Sequence, residues 1–584
     1  MIPLNRTYAP IQAFVDELAR CGLRHAVTCP GSRNAPLLLT LAAEPRIEAT
    51  SILDERSAGY FALGLAKTTE RPVAITVTSG SAVANLAPAV AEAREARVPL
   101  IVLSADRPPE LRDVGAGQSI DQLKVFGSAA KWFVEMGSHE PGRSAAVHHR
   151  AHACRAFSEA RDGRPGPVHV NFPLREPLAP VREELDPEPW QGRPEGRPWV
   201  EVTPAFLQTD EEDPAAGIAL EVAHRPRGAV VCGATHEDLA ESAALLAEAA
   251  GWPLLAEPTS NVRCGAHDRS HVVSHYDVLL RSEEWAAEHR PELVIRVGDT
   301  PTSKPLRAWL ASAGRQVLID PHLAWHDPTR EVETIVAGSP GRLLREIAER
   351  LAGLGGPLPA APVPTPWLSS WLEADALVPP ALAAAPEPLE PSFLAALADV
   401  APEGSTLWVA SSMPVRDVES FFPSTNTELR FLANRGANGI DGVVSSALGA
   451  ALAGHSGRCY LLTGELSLLH DVGGLVTARR HGIELTIVCL NNGGGGIFDF
   501  LSVAEHADTG TYEEHLATPT PVDLRHVAAL GGLEHTLAAT PDDVRAAAGR
   551  PGLIEVRIER SRNVALHREV FAGVVRQLEG GRRG

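Results

Sequence analysis

Two stretches decide the fold: Cys459-Tyr460-Leu461-Leu462-Thr463-Gly464-Glu465-Leu466-Ser467, and Leu485-Thr486-Ile487-Val488-Cys489-Leu490-Asn491-Asn492-Gly493-Gly494. Each opens with a short apolar run that reads as a buried strand, Cys459 to Thr463 and Leu485 to Leu490, and the residues between them have helical character. Strand, helix and strand in that order make a parallel βαβ unit, whose ligands sit beyond the carboxyl ends of the strands. One end offers Glu465 and the other Asn492. Two side-chain oxygens, a backbone carbonyl and diphosphate oxygens would satisfy the octahedral demand of Mg²⁺. The glycines would let the backbone approach phosphates closely. Taken alone, the pattern reads equally as a turn at a sheet edge.

The same rhythm runs outward through all 584 residues. Further strands are expected at His25 to Thr28, Val73 to Thr78, Leu100 to Ser104, Gly228 to Cys232, Leu293 to Val297, Gln316 to Ile319, Thr406 to Ala410 and Leu553 to Ile558. Between them lie longer segments rich in alanine and leucine, so the fold class is α/β, built of mainly parallel sheets covered by helices. Proline, glycine and charge break the periodicity at about Glu183 to Pro204 and again at Leu354 to Pro391, which read as connectors. They give three domains: residues 1–185, 186–355 and 356–584.

The turns after the strands are where chemistry is expected. Cys29-Pro30-Gly31-Ser32-Arg33-Asn34 and Ser104-Ala105-Asp106-Arg107-Pro108 each set an arginine in a turn suited to a carboxylate or phosphate. A solvated arginine, or one paired with an acid such as Asp106, is the competing reading. Thr78-Ser79-Gly80-Ser81 aims hydroxyls and helix-start amides at a ligand, or simply caps a helix. Glu55 stands just before a helix of small and apolar residues, Ser57 to Ala66, which permits close packing such as against another subunit. In an interface of that kind a carboxylate would be desolvated and suited to relaying a proton.

Composition narrows the partners. The formal net charge of −20 disfavours nucleic acid and anionic lipid, so an anionic ligand needs locally concentrated cations. Lysine occurs only at Lys67, Lys124, Lys131 and Lys304, and arginine supplies almost all positive charge. Seven scattered cysteines without a Cys-x-x-Cys pair fit reduced thiols in the cytoplasm. No apolar run approaches the roughly 18 residues that span a bilayer, so no membrane insertion is expected.

Together with Asp54-Glu55-Arg56, Ala105-Asp106-Arg107-Pro108-Pro109-Glu110-Leu111 and Asn434-Arg435-Gly436-Ala437-Asn438-Gly439-Ile440-Asp441-Gly442, these segments resemble thiamine diphosphate-dependent enzymes across nearly the whole chain. Within them they resemble the 2-succinyl-5-enolpyruvyl-6-hydroxy-3-cyclohexene-1-carboxylate synthases, transferases of menaquinone biosynthesis. The resemblance implies decarboxylation of 2-oxoglutarate and conjugate addition of the succinyl unit to isochorismate. It implies a pyrimidine-binding, a central and a diphosphate-binding domain in that order. Glu55 would meet the pyrimidine nitrogen of the cofactor, Thr78, Ser79 and Gly80 would line the cofactor, Ile440 would wedge it from beneath, and Gln118 would lie near the reacting centre. Gly464, Glu465, Leu466, Ser467 and Asn492 would hold the diphosphate, with Glu465, Asn492 and the Gly494 carbonyl on Mg²⁺ or Mn²⁺. Arg33, Arg107, Lys304, Arg416 and Arg435, with Ser32 and Ser412 as hydroxyl donors and Ile497 and Phe498 as an apolar wall, would receive two dicarboxylates. The resemblance also implies a homodimer or homotetramer whose active sites each need two chains. No flavin is expected, since no Gly-x-Gly-x-x-Gly turn follows a strand. An acetolactate synthase-type enzyme would keep Glu55 and the metal motif but leave the five cations without a task. The family usually has aspartate where this chain has Glu465, and often arginine where it has Pro305.

Overall fold

The computed structural model describes residues 4–137, 140–202, 213–354, 364–454 and 456–580. The chain forms two bodies. The first is Met1–Leu207 with Asn434–Gly454 and His470–Glu484, and the second is Gln208–Ala433 with His455–Leu469 and Leu485–Gly584.

The first body holds one parallel sheet of β1 (His25–Thr28), β2 (Glu48–Ser51), β3 (Val73–Val77), β4 (Leu100–Asp106), β5 (Trp132–Glu135) and β6 (Val168–Pro173), in the order β2-β1-β3-β4-β6-β5. The second body holds two. One comprises β7 (Gly228–Cys232), β8 (Leu254–Ala256), β9 (Val272–Val273), β10 (Leu293–Val297), β11 (Gln316–Ile319) and β12 (Thr334–Val336), ordered β12-β11-β10-β7-β8-β9. The other comprises β13 (Ser405–Val409), β14 (Leu429–Leu432), β15 (Cys459–Gly464), β16 (Thr486–Asn491), β17 (His535–Ala538) and β18 (Gly552–Arg557), ordered β14-β13-β15-β16-β18-β17. Central strands such as β3, β7, β10 and β13 are buried at every residue, as expected of parallel strands covered on both faces.

Each order reverses near its middle, between β1 and β3, between β7 and β10, and between β13 and β15, and the first and third turn back again at the β6-β5 and β18-β17 edges. At such a reversal the chain leaves adjacent strand ends in opposite directions and opens a crevice for ligand. The turns holding Arg33, Thr78 to Gly80, Lys304, Ser412 and Glu465 all follow strands at the three mid-sheet reversals.

The second connector is corrected. Residues 355–363 lie outside the described residues, but Pro366–Asp375, Val378–Ala383 and Glu390–Ala395 are helices, each with proline in its first turn. Proline there lacks only an amide hydrogen that the helix start leaves unpaired, so it marks a beginning where the sequence pattern suggested a linker. Trp371 from the first of these helices is fully buried, its ring 4.7 Å from Trp285 and 5.4 Å from Trp309. In the first connector, residues 203 and 204 lie outside the described residues, while Trp190 is buried and its carbonyl accepts from Arg150 Nη2 at 2.7 Å.

Glu55 is the first residue of its helix, Glu55–Thr69, and does not precede it as the sequence suggested. Asp54 caps that helix, accepting from the Arg56 amide at 2.9 Å and the Ser57 amide. The small face of the helix packs on Val443–Ala453 of the same chain. A side chain at Gly64 would meet the Ser446 carbonyl oxygen at 2.0 Å, and one at Gly449 the Phe61 carbonyl oxygen at 2.1 Å.

Candidate functional site

In the first body, the turn after β1 passes so close to the turn after β3 that a Cβ at Gly31 would lie 2.4 Å from Thr78 Cβ. Arg33 is 7% exposed in this turn. Its Nη1 donates to the Leu174 carbonyl at 2.8 Å and lies 3.7 Å from Glu176 Oε1, while its buried Nε has no partner among the described residues. Burial, and then the neighbouring Arg107, lower the Arg33 guanidinium from its ordinary value, with Glu176 opposing them. Arg107 donates from Nε to the Gly117 carbonyl at 3.0 Å, next to Gln118. Two guanidinium groups close enough to repel suit an anion between them.

After β3, the amide of Gly80 donates to Gln122 Oε1 at 2.9 Å, and Gln122 in turn donates to the Ala105 carbonyl and Asn171. Gly80 has φ 85°, and a Cβ on it would touch Gln118 at 3.4 Å, so this turn and Gln118 are neighbours. The Ser79 hydroxyl is buried without a partner among the described residues. Glu55 is half-buried and accepts from Asn85 Nδ2 at 3.4 Å. Ser32 is exposed at the mouth of the β1 turn.

Arg435 and Ile440 also belong to the first body, on a loop that two acids hold. Buried Glu92 accepts from the Gly436 amide at 2.8 Å and the Ala437 amide at 2.6 Å, and the Tyr60 hydroxyl donates to Asp441. Neither Glu92 nor Tyr60 stands out in the sequence, because both fall inside ordinary helices.

In the second body, Glu465 follows β15 and Asn492 follows β16, as the opening stretches suggested. The Glu465 carboxylate accepts from the Gly494 amide at 2.5 Å and the Asn492 amide at 3.4 Å. Burial raises its pKa, and these hydrogen bonds act in the opposite sense. Asn492 Nδ2 donates to Glu390 Oε1 at 2.8 Å, leaving Asn492 Oδ1 buried and without a partner among the described residues. Gly494 admits no side chain: a Cβ would lie 2.5 Å from the Ala517 carbonyl oxygen and 2.6 Å from Arg560 Nη1. Arg560 clamps the loop, donating to the Gly493 carbonyl at 3.3 Å, to Asp499 at 2.9 Å, and to Glu513. It follows β18, so the rule that read the other strand ends could have found it. Ile497 and Phe498 sit half-buried in the short turn Gly496–Phe500.

Ser412 and Arg416 open the helix Met413–Phe421 after β13, with Arg416 Nη1 donating to the Ser412 carbonyl at 2.5 Å. Asp417 of that helix is buried against His567 Nε2 at 3.0 Å. His567 Nδ1 faces the Asn563 carbonyl at 2.8 Å, so both ring nitrogens meet acceptors and the ring is an imidazolium. Burial would lower its pKa, and Asp417, then Glu390 and the Asn563 carbonyl, together raise it above the ordinary value. Glu390 is fully buried beside them; burial, then Asp417, raises its pKa to about 7. Lys304, exposed, is the first residue of the helix Lys304–Ala311, which Ser303 caps. A cation at a helix start is unfavourable by about 0.3 to 1 kcal/mol, a cost that an anionic ligand would offset.

Hard oxygen donors thus converge in the second body, and paired cations with unpartnered polar atoms in the first. Comparison with known proteins finds three matching domain models along the chain. A model described as the thiamine pyrophosphate enzyme N-terminal TPP binding domain matches residues 11–125, one described as the middle domain of thiamine pyrophosphate matches 189–351, and the C-terminal TPP binding domain matches 414–555. Relatives named 2-succinyl-5-enolpyruvyl-6-hydroxy-3-cyclohexene-1-carboxylate synthase include those of Geobacillus kaustophilus, 41% identical over 97% of each chain, and Myxococcus xanthus, 42% identical over 98% of each. A third, from Chloroflexus aurantiacus, is 40% identical over 96% of this chain and 95% of its own.

Proposed function

The chain belongs to the family of 2-succinyl-5-enolpyruvyl-6-hydroxy-3-cyclohexene-1-carboxylate synthases, thiamine diphosphate-dependent transferases of menaquinone biosynthesis, and from that premise we propose how its residues divide the work. The reaction decarboxylates 2-oxoglutarate and adds the succinyl unit to isochorismate. Thiamine diphosphate, when bound, supplies the nucleophilic carbon that carries the succinyl unit. The chain supplies a proton carrier, a metal-diphosphate anchor and cations.

The residues fit this cofactor. Buried Asn492 Oδ1 lacks a partner among the described residues, and the carboxylate of Glu465 stands across the same loop, hard donors of the kind Mg²⁺ takes. Glu465, Asn492 and the Gly494 carbonyl hold Mg²⁺ or Mn²⁺, and Gly464, Leu466 and Ser467 border the diphosphate. Glu465 is a methylene longer than the usual aspartate, and that length lets it reach the Gly494 amide. Thr78, Ser79 and Gly80 line the cofactor, where the unpartnered Ser79 hydroxyl is available to it. Glu55 holds and moves the proton at the pyrimidine nitrogen. Ile440 supports the cofactor from beneath, and Gln118 lies beside the reacting carbon.

The observation that carries the substrate assignment is Arg33, a buried guanidinium with an unpartnered Nε, lowered by burial and then by Arg107, in a chain of net charge −20. Pyruvate carries one carboxylate and would leave most of the five cations, Arg33, Arg107, Lys304, Arg416 and Arg435, without a task. Arg435, Lys304 and Arg416, with Ser32 and Ser412, receive the remaining carboxylates, and Ile497 and Phe498 pack against the carbon skeleton. The protein works as a homodimer or homotetramer, the Glu55 half of each active site coming from one chain and the metal half from a second. Its seven free cysteines suit the reducing cytoplasm.

The test is CO₂ release by the full chain with thiamine diphosphate and Mg²⁺. The expected kcat/KM for 2-oxoglutarate exceeds that for pyruvate, and Arg33→Ala lowers the former at least about tenfold while sparing the latter. Comparable turnover of pyruvate, unaffected by Arg33→Ala, would favour an acetolactate synthase-type enzyme instead.

A further inference from the structure

Glu390 is a fully buried carboxylate that touches the Asn491–Gly496 loop through Asn492. It opens the helix Glu390–Ala395, and its amide is held by Asn563 Oδ1 at 3.2 Å. Its Oε1 accepts from Asn492 Nδ2 at 2.8 Å. Its Oε2 has no partner among the described residues, and as a carboxylate Glu390 offers Asn492 only acceptors. An amide side chain has two nearly isosteric ends, and only its surroundings decide which end points where. Reversing Asn492 would set Oδ1 against Oε1, oxygen against oxygen. The amide packs against Gly496, where any Cβ would lie 2.5 Å from Asn492 Nδ2, so the glycine is what admits the Asn492 side chain. What remains is Oδ1 on the far side from Glu390, buried and unpartnered.

We propose that Glu390 is a positioning residue: by accepting from Asn492 Nδ2 it fixes the amide in the one orientation that turns Oδ1 to the metal. The inference rests on Asn492 being a metal ligand. Partners of this kind, which hold a ligand without touching the metal, change metal affinity by about 10- to 100-fold when removed. Glu390 has a charged and polar neighbourhood. Asp417 lies near it, the imidazolium of His567 offsets Asp417 at 3.0 Å, and the same helix that bears His567 contributes Asn563.

The experiment is a Mn²⁺ titration of the full chain with thiamine diphosphate, reading free Mn²⁺ by electron paramagnetic resonance. Glu390→Met, similar in shape but without an acceptor, is expected to weaken Mn²⁺ at least about tenfold. Glu390→Gln, whose amide oxygen still accepts, is expected to stay within about threefold of the parent. Because Glu390 acts through Asn492, Glu390→Met in an Asn492→Ala background should weaken binding no further. If Glu390→Met is not recovered folded, Glu390→Ala removes the acceptor without adding bulk and is read in the same way. Parent-like Mn²⁺ binding in the Glu390 variant beside weakened binding in Asn492→Ala would overturn the inference and leave the metal assignment intact, as would an additive double variant. Unchanged binding in Asn492→Ala would overturn the metal assignment itself.

Discussion

The turns that follow β3 and β13 share one backbone shape, but the left-handed position is glycine in one and serine in the other. Gly80 has φ 85° and ψ −139°, Ser412 has φ 73° and ψ −133°, and each immediately precedes a helix. Glycine adopts this conformation freely, whereas a side chain there costs about 1 to 3 kcal/mol. A serine kept in that position at such a cost points to use of its hydroxyl, consistent with Ser412 binding substrate. The contrast extends to the two bodies. The first body offers charged groups at strand ends and a helix start: Arg33, Arg107 and Glu55. In the second body the Asn491–Gly496 loop is tied down by Glu465, Glu390 and Arg560, which suits an anchor.

The largest expected effect separates these roles. Glu55→Gln should lower turnover by about 10² to 10⁴ while cofactor affinity, read by calorimetry, stays within about tenfold. Glu465→Ala should instead lose the cofactor and metal together. If Glu55→Gln abolished cofactor binding and Glu465→Ala did not, the contrast would be inverted. Next comes Arg107→Ala, expected to raise KM for 2-oxoglutarate at least about tenfold with little change in melting temperature. A fall in melting temperature with KM unchanged would make Arg107 structural. The smallest effect sharpens the turn comparison: Ser412→Gly should stabilise the fold by about 1 kcal/mol in denaturant unfolding while raising KM severalfold. Stabilisation without a change in KM would mean that the hydroxyl serves no substrate.

How much of this was legible follows from how each feature is written in the chain. Gly228–Cys232 is a continuous apolar run and Leu293–Val297 one broken only by Arg296, and both match the expected bounds residue for residue. Edge strands such as Glu48–Ser51 carry too few apolar residues to register, and β6 hides because buried His169 and Asn171 interrupt its apolar run. Turn residues were legible because they follow strands, and Glu465, Asn492, Arg33 and Lys304 all do. Glu390 and Glu92 were not, since what they hold is distant in sequence: Glu390 meets Asn492, and Glu92 meets the amides of Gly436 and Ala437. Proline misled the reading of Leu354 to Pro391 because it starts a helix as readily as it ends one.

The central claim is that this chain joins a succinyl unit to isochorismate, and one assay meets it directly. The purified full chain is mixed with thiamine diphosphate, Mg²⁺, 2-oxoglutarate and isochorismate, and both isochorismate absorbance and product mass are followed. The account predicts absorbance loss that requires both the cofactor and 2-oxoglutarate, with a product of the mass of the succinylated adduct. Persistence of isochorismate alongside cofactor-dependent CO₂ release from pyruvate would contradict it.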